Sequence, residues 1–134
     1  MISIITPSLN QGAFIEETIK SVLRQDYPHI EYIIMDGGSS DDTLDILRKY
    51  NDRITWFSEP DNGQADAVNK GIDMAHGEII AWLNSDDILL PGAIHKVADC
   101  FRHGPKLTMV YGQSHFMDTT GKNHLLQPIL YIKI

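Results

Sequence analysis

Two adjacent carboxylates, Asp86 and Asp87, close the stretch Trp82-Leu83-Asn84-Ser85-Asp86-Asp87, which follows the apolar run Glu78-Ile79-Ile80-Ala81 and precedes Ile88-Leu89-Leu90-Pro91. Carboxylates held ~5 Å apart repel by roughly 3 kcal/mol at an effective dielectric of about 20. A site that keeps both ionised calls for a hard divalent cation bound through oxygen, and Mg2+ or Mn2+ carried with a phosphate is the natural candidate. The plain alternative is a solvated turn in which one of the two caps the helix starting near Pro91. For an isolated pair that alternative is the commoner, so the rest of the chain must decide.

Short apolar runs alternate with segments of helical period, which predicts βα units feeding a largely parallel sheet. Strands are expected over 1–6, 30–36, 53–58 and 77–83. The first helix has its apolar stripe at Ile15, Ile19, Val22 and Leu23. A second spans 41–51, led by Ser40, Asp41 and Asp42 and facing inward with Leu44, Leu47 and Tyr50. A third, over 63–75, is expected to bury Ala65, Val68, Ile72 and Ala75. The fourth follows Pro91-Gly92, with Ile94, Val97, Ala98 and Phe101 inside, and stops at His103-Gly104-Pro105. Trp56, Trp82, Tyr32 and Phe57 fall in strand runs and are read as core. Beyond Pro105, residues 107–111 and 114–117 read as strands joined by a tight turn at Gly112, and 119–122 as a hairpin turn. The apolar segment from Leu125 to Ile134 has no closing signal, so the chain reads as stopping mid-fold with an unprotected edge strand.

In an open α/β sheet, ligands bind beyond the carboxyl ends of the strands. Four loops lie there: Pro7 to Gly12, Asp36 to Asp41, Glu59 to Gln64, and Asn84 to Asp87. Carboxylates, amides and glycines collect on this rim. Asp36, followed by Gly37-Gly38, could meet a planar base or a sugar hydroxyl, or could simply close an Asx turn with the glycines. Gln64, Asp66 and Lys70 lie at the start of the third helix, where free amides favour an anion, and Lys70 could contact a phosphate or be an ordinary solvated lysine. No Gly-x-Gly-x-x-Gly, Gly-Lys-Ser/Thr or Gly-x-Ser-x-Gly motif occurs, which disfavours a dinucleotide oxidoreductase, a P-loop NTPase and an α/β-hydrolase.

Composition narrows the class further. At 134 residues with 43% hydrophobic content the chain forms a single domain over 1–134. A formal net charge of -7 without a dense Lys/Arg run argues against nucleic-acid binding. Cys100 is alone, so no internal disulfide or cysteine metal framework forms. The six histidines are scattered without ligand spacing and are read as structural or surface residues.

Five blocks carry a resemblance: Ile4 to Asn10, Ser21 to Pro28, Glu31 to Thr43, Asp61 to Gly71, and Ala81 through Ala93. In their order and spacing, over about residues 2–118, they resemble the N-terminal, nucleotide-sugar-binding part of a family 2 glycosyltransferase of the GT-A fold. The resemblance implies a three-layer α/β sandwich, Rossmann-like, with a mostly parallel sheet and a mixed C-terminal part. It also implies transfer of a sugar, with inversion, from a nucleotide-diphosphate donor to an acceptor hydroxyl in polysaccharide or cell-surface glycan synthesis. Mg2+ or Mn2+ would bridge the diphosphate to Asp86 and Asp87. Pro7 and Ser8 would border the nucleoside, Asp36 would lie at the base or ribose, and Asn10, Gly37, Gln64, Asp66, Lys70 and Asn84 would complete the donor site. A UDP-sugar is the first expectation for the donor, and a saccharide or lipid-linked glycan for the acceptor.

The chain departs from the family pattern in three places. Gly37 stands where a second aspartate is common, and Asn84 where the first acid of Asp-x-Asp is expected. No later acidic motif supplies a catalytic base, which is expected beyond the chain end; Asp118 is the one late carboxylate. A cytoplasmic location follows from the resemblance, with peripheral association at the inner membrane face as its variant. Two other classes stay open: a non-catalytic nucleotide-binding module dimerising through its C-terminal edge, and a nucleotidyltransferase sharing the metal and diphosphate logic.

Overall fold

The computed structural model describes residues 1–117 and 123–133. Its elements run β1 (Ile2–Ser8), α1 (Ile15–Leu23), β2 (Ile30–Asp36), α2 (Thr43–Arg48), β3 (Thr55–Ser58), α3 (Gln64–Met74), β4 (Ile79–Trp82), α4 (Ala93–His103), β5 (Met109–Met117) and β6 (Asn123–Lys133). They form one six-stranded sheet of order β3-β2-β1-β4-β6-β5. β1 pairs in parallel with β2 and β4, and β2 with β3. β6 runs antiparallel to both β4 and β5.

β1 is buried along its whole length, as a central parallel strand covered on both faces must be, and this is why it reads Ile-Ser-Ile-Ile-Thr-Pro-Ser without polar alternation. On one face Ile2 and Ile4 pack with Tyr32, Ile34 and Ala81 against the inner stripes of α1, α2 and α4. On the other, Ile33 and Met35 meet Ala67 of α3, with Met74 and Ala75 alongside. The layers are therefore helices, sheet, helix. The expected stripe of α4 is buried, as is that of α1 except for the half-buried Leu23, and α2 buries Thr43 and Ile46 beside the expected Leu47, with Leu44 and Tyr50 half-buried against the same core.

α3 presents a different face from the expected one. Ala67 and Gly71 are its buried residues, while Ala65 and Ile72 are exposed. The reason is Gly71. A Cβ there would come within 2.5 Å of Ile5 Cγ2 and 3.3 Å of Met35 Cγ, so the missing side chain lets the helix lie directly on the sheet. Hydrophobicity alone pointed to the larger side chains; close backbone approach selected the smallest.

The C-terminal part also departs from expectation. β5 passes through Gly112 as one continuous strand, with its register shift between His115 and Met117, so no turn forms at Gly112. The expected hairpin turn at 119–122 and Asp118 lie outside the described residues. The apolar tail is not an edge: β6 sits between β4 and β5, pairing Ile80 with Ile132 and Ala81 with Tyr131 on one side and Val110 with Tyr131 on the other. Its apolar composition suits an internal strand, and the premise for dimerisation through it is removed. Trp82 and Phe57, read as core, are 47% and 42% exposed, because α3 covers β1 and β2 but not the outer parts of that sheet face.

Candidate functional site

The chain moves outward from β1 to β2 and β3, then returns across the sheet to β4 on the other side of β1. A crevice opens where the order reverses, between the carboxyl ends of β1 and β4. The two strands pair from Ile2↔Ile79 to Ile5↔Trp82, and the last link is the Leu83 amide donating to the Ile5 carbonyl at 3.0 Å. Thr6, Pro7 and Ser8 then continue along β2 alone.

The β4 end is fixed from two sides. A polar stripe on α1, missed in the sequence, holds it from one: Thr18 Oγ1 donates to the Ser85 carbonyl at 2.9 Å, and Ser21 Oγ accepts from the Leu89 amide at 3.1 Å. Gln25 continues the stripe, donating to the Leu90 carbonyl and accepting from the Ile94 amide. The spacing 18, 21, 25 is helical, so a polar stripe beside the apolar one was the available signal. From α3, Gln64 Nε2 donates to Asn84 Oδ1 at 2.8 Å, and Asn84 Nδ2 donates to Asp87 Oδ2 at 3.0 Å. Partial desolvation pushes the Asp87 pKa up; the Asn84 hydrogen bond opposes this and the neighbouring Asp86 charge adds to it. Asn84 thus holds a carboxylate rather than supplying one.

Asp36 is 2% exposed and already committed. Its Oδ2 accepts from the amides of Gly38 (3.1 Å) and Ser39 (2.9 Å) and from Ser58 Oγ (2.6 Å), and its Oδ1 accepts from Ser39 Oγ at 2.5 Å. Gly38 takes a φ of 87° to close this turn. Of the two readings of Asp36, the turn is the one the structure builds. Through it the loops after β2 and β3 become one unit, extended by the Glu59 amide donating to the Asp36 carbonyl at 2.9 Å. Asn10 joins the β1 loop to the same unit: its Oδ1 accepts from the Ser40 amide at 2.8 Å, and its own amide donates to Ser39 Oγ at 2.7 Å.

Asp66 and Lys70 are likewise engaged. Lys70 Nζ lies 2.8 Å from Glu59 Oε1 and 3.5 Å from Asp66 Oδ2, and Asp66 accepts from the Asn62 amide. The two carboxylates that match Lys70 keep it protonated, with the Glu59 bond foremost, and oppose its reaching a phosphate. Pro7 is buried on β1. Ser8 is 5% exposed, and among the described residues its Oγ is a buried side-chain atom with no hydrogen-bond partner. Such a hydroxyl costs about 1–3 kcal/mol until something meets it. Its carbonyl accepts from the Gly37 amide at 2.8 Å.

Asp86 and Asp87 offer oxygen donors only, which fits a hard cation. Among the described residues no group of three or more His, Cys, Asp or Glu is arranged to hold a metal, so most of a cation's ligands there would come from outside the protein. A rim carrying Asp36, Asp61, Asp86 and Asp87, with its nearby lysine paired to Glu59, is acidic and favours cations over bare anions.

A mostly parallel sheet with helices on both faces and polar loops at the strand-order reversal defines an open, doubly wound α/β domain, the kind in which ligands bind at that reversal. The chain belongs to glycosyl transferase family 2, whose model matches residues 3–133. It is 45% identical over 91 residues to the putative teichuronic acid biosynthesis glycosyltransferase TuaG of Bacillus subtilis (strain 168), covering 65% of this chain and 36% of TuaG. Among solved structures it resembles S. aureus TarS in complex with UDP-GlcNAc (TM-score 0.70, 26% identity, 76% of this chain and 31% of that one). It also resembles the mannosyltransferase PcManGT from Pyrobaculum calidifontis in complex with GDP-Man and Mn2+ (TM-score 0.72, 25% identity, 81% and 34%). The expected GT-A architecture is the one found. The chain spans between 18% and 39% of the length of the curated relatives it matches.

Proposed function

We propose that this chain binds a nucleotide-diphosphate sugar together with Mg2+ or Mn2+, as the donor-binding half of an inverting glycosyltransferase. The acceptor is a hydroxyl of a saccharide or lipid-linked glycan, in polysaccharide or cell-surface glycan synthesis. The observation that carries this reading is the acidic crevice at the β1/β4 reversal, where Asp86 and Asp87 form the oxygen-only end and the Ser8 hydroxyl is buried without a partner. The UDP-GlcNAc and the GDP-Man with Mn2+ carried by two structural neighbours support it.

Asp86 and Asp87 would hold the cation, which when bound neutralises charge on a departing nucleoside diphosphate. The chain's own residues orient the parts. Asn84 fixes one oxygen of Asp87, Gln64 fixes the amide of Asn84, and Thr18 holds the turn between them through the Ser85 carbonyl. Pro7, Ser8 and Gly37 line the nucleoside side, and Asp36 and Asn10 hold the loops that shape it. We further place the domain on the cytoplasmic side, peripheral at the inner membrane face; cell fractionation with a high-salt wash tests that placement. Among the described residues no helix is long and apolar enough to cross a membrane.

Calorimetric titration with UDP-, GDP- and dTDP-sugars, with and without Mn2+, tests the site. Binding should require the metal and be abolished by Asp86→Ala and by Asp87→Ala. Metal-independent binding, or binding that survives both substitutions, overturns the proposal.

A further inference from the structure

Gly37 has no need of glycine's backbone freedom: the described glycines with positive φ are Gly38, Gly63 and Gly92. What a side chain there would displace is a neighbour. A Cβ at position 37 would lie 2.7 Å from Asp61 Oδ2 and 3.2 Å from Asp61 Cγ. The carboxylate of Asp61, on the loop between β3 and α3, occupies the space that a side chain at position 37 would fill. Its Oδ1 accepts from the Gly63 amide at 2.8 Å, which fixes the loop, and among the described residues Oδ2 accepts no hydrogen bond. Gly37 is itself pinned to the end of β1 through the Ser8 carbonyl. Asp61 Oδ2 therefore stands beside Gly37, next to the β1 terminus that carries the unpartnered Ser8 hydroxyl, the side that the proposed donor site gives to the nucleoside.

We propose that Asp61 is the residue that selects the nucleobase, its Oδ2 occupying the side-chain space of position 37 and accepting a hydrogen bond from a ring N–H at the base's pairing edge. This rests on the donor-site reading above. Asp36 cannot do this, since its two oxygens are taken by four donors of its own loops. A free carboxylate oxygen is an acceptor only, so it suits bases that present a ring N–H at their pairing edge, as uracil and guanine do. Cytosine and adenine oppose it with an acceptor ring nitrogen and can reach it only through the exocyclic amine beside that nitrogen. Glycine at 37 and aspartate at 61 then form one unit, in which the acid comes from the neighbouring loop.

The test measures dissociation constants for UDP, GDP, CDP and ADP with Mn2+, in the wild type, Asp61→Ala, Asp61→Asn, Gly37→Asp and the double variant Gly37→Asp/Asp61→Gly. The wild type should favour UDP or GDP over CDP by at least about tenfold, and which of the two binds more tightly identifies the base. Asp61→Ala should remove that preference while leaving CDP affinity within about twofold, as loss of one charge-assisted bond requires. Gly37→Asp should weaken every nucleotide, and the double variant should recover the preference. A preference unchanged in Asp61→Ala overturns the proposal and leaves the donor site standing. A wild type that binds none of the four overturns both. Asp61→Asn, which can still accept from the Gly63 amide, separates loss of the charge from loss of the turn: a preference intact in that variant also overturns the proposal.

Discussion

Asp36→Ala should destabilise the domain rather than disable a binding site. The substitution strands the amides of Gly38 and Ser39 and the hydroxyls of Ser39 and Ser58, all now bound to one buried carboxylate. The hydroxyls can rotate to other partners, but the two amides are fixed by the turn. Ser39 is buried, and stranding its donors costs about 2–3 kcal/mol, while Gly38 and Ser58 are exposed and their donors can meet water, so the loss is about 2–3 kcal/mol. A domain of this kind has on the order of 5–15 kcal/mol in total. The midpoint of thermal unfolding should fall by on the order of 5–10 °C. Urea denaturation followed by circular dichroism measures the loss, with Ser58→Ala as a milder companion at about 1 kcal/mol. Nucleotide titration at low temperature, on whatever remains folded, completes the comparison. If Asp36→Ala keeps its stability within about 1 kcal/mol of the wild type and loses nucleotide affinity instead, Asp36 is a ligand contact and the account of it as a loop organiser is wrong.

Gly71→Ala sets a gain of about 1 kcal/mol in helix propensity against overpacking of about 1–3 kcal/mol. Because the clash is with a methyl of the fully buried Ile5, overpacking should win by about 1 kcal/mol or more, and a more stable variant in urea would refute the packing of α3. Glu31 is buried enough to raise its pKa, yet the His76 amide, the Ser3 hydroxyl and the His76 ring outweigh that and hold it below 4.5. A depressed carboxylate stabilises the fold above its unfolded pKa, and the contribution disappears as pH falls through the folded value. Glu31→Gln should therefore be destabilising at about pH 6 and much less so at about pH 3.5; equal losses at both would contradict the assignment. For Asp87 the sign is opposite: its raised pKa means the ionised form weakens the metal-free fold as pH rises. Asp87→Asn should be more stable than the wild type near pH 7 without metal, and should lose any Mn2+-induced rise in melting temperature.

The residues that speak through periodicity were legible in the sequence. Ile94, Val97, Ala98 and Phe101 of α4, and the whole span of β2, lie where their spacing put them. The four rim loops and their gathering at one sheet edge followed from the βα alternation. What escaped were relations between distant segments. α3 buries Gly71 because of a contact with Ile5 that no local pattern contains. β6 lies inside the sheet because β4 has a free side, and an apolar run alone does not say which neighbour it will find. Asp36 and Lys70 were identified as polar groups near the carboxyl ends of the strands, but whether such a group is free or already matched depends on Ser58, Ser39 and Glu59 arriving from elsewhere. Asp61 was passed over because its meaning depends on what is absent at position 37.

The placement of β6 has a consequence for how the chain is made. During vectorial synthesis on a ribosome, β1 to β4 and the first three crossover helices emerge early, and each parallel pair can form as it appears. β4 then waits with one side bare until Asn123–Lys133 has left the exit tunnel, because β5, although made first, takes the outer place. Closing that gap requires a long-range pairing late in translation, the kind of step that is slow and exposes sheet to other chains meanwhile. Nascent chains released before residue 133 should accordingly be the species that chaperones capture.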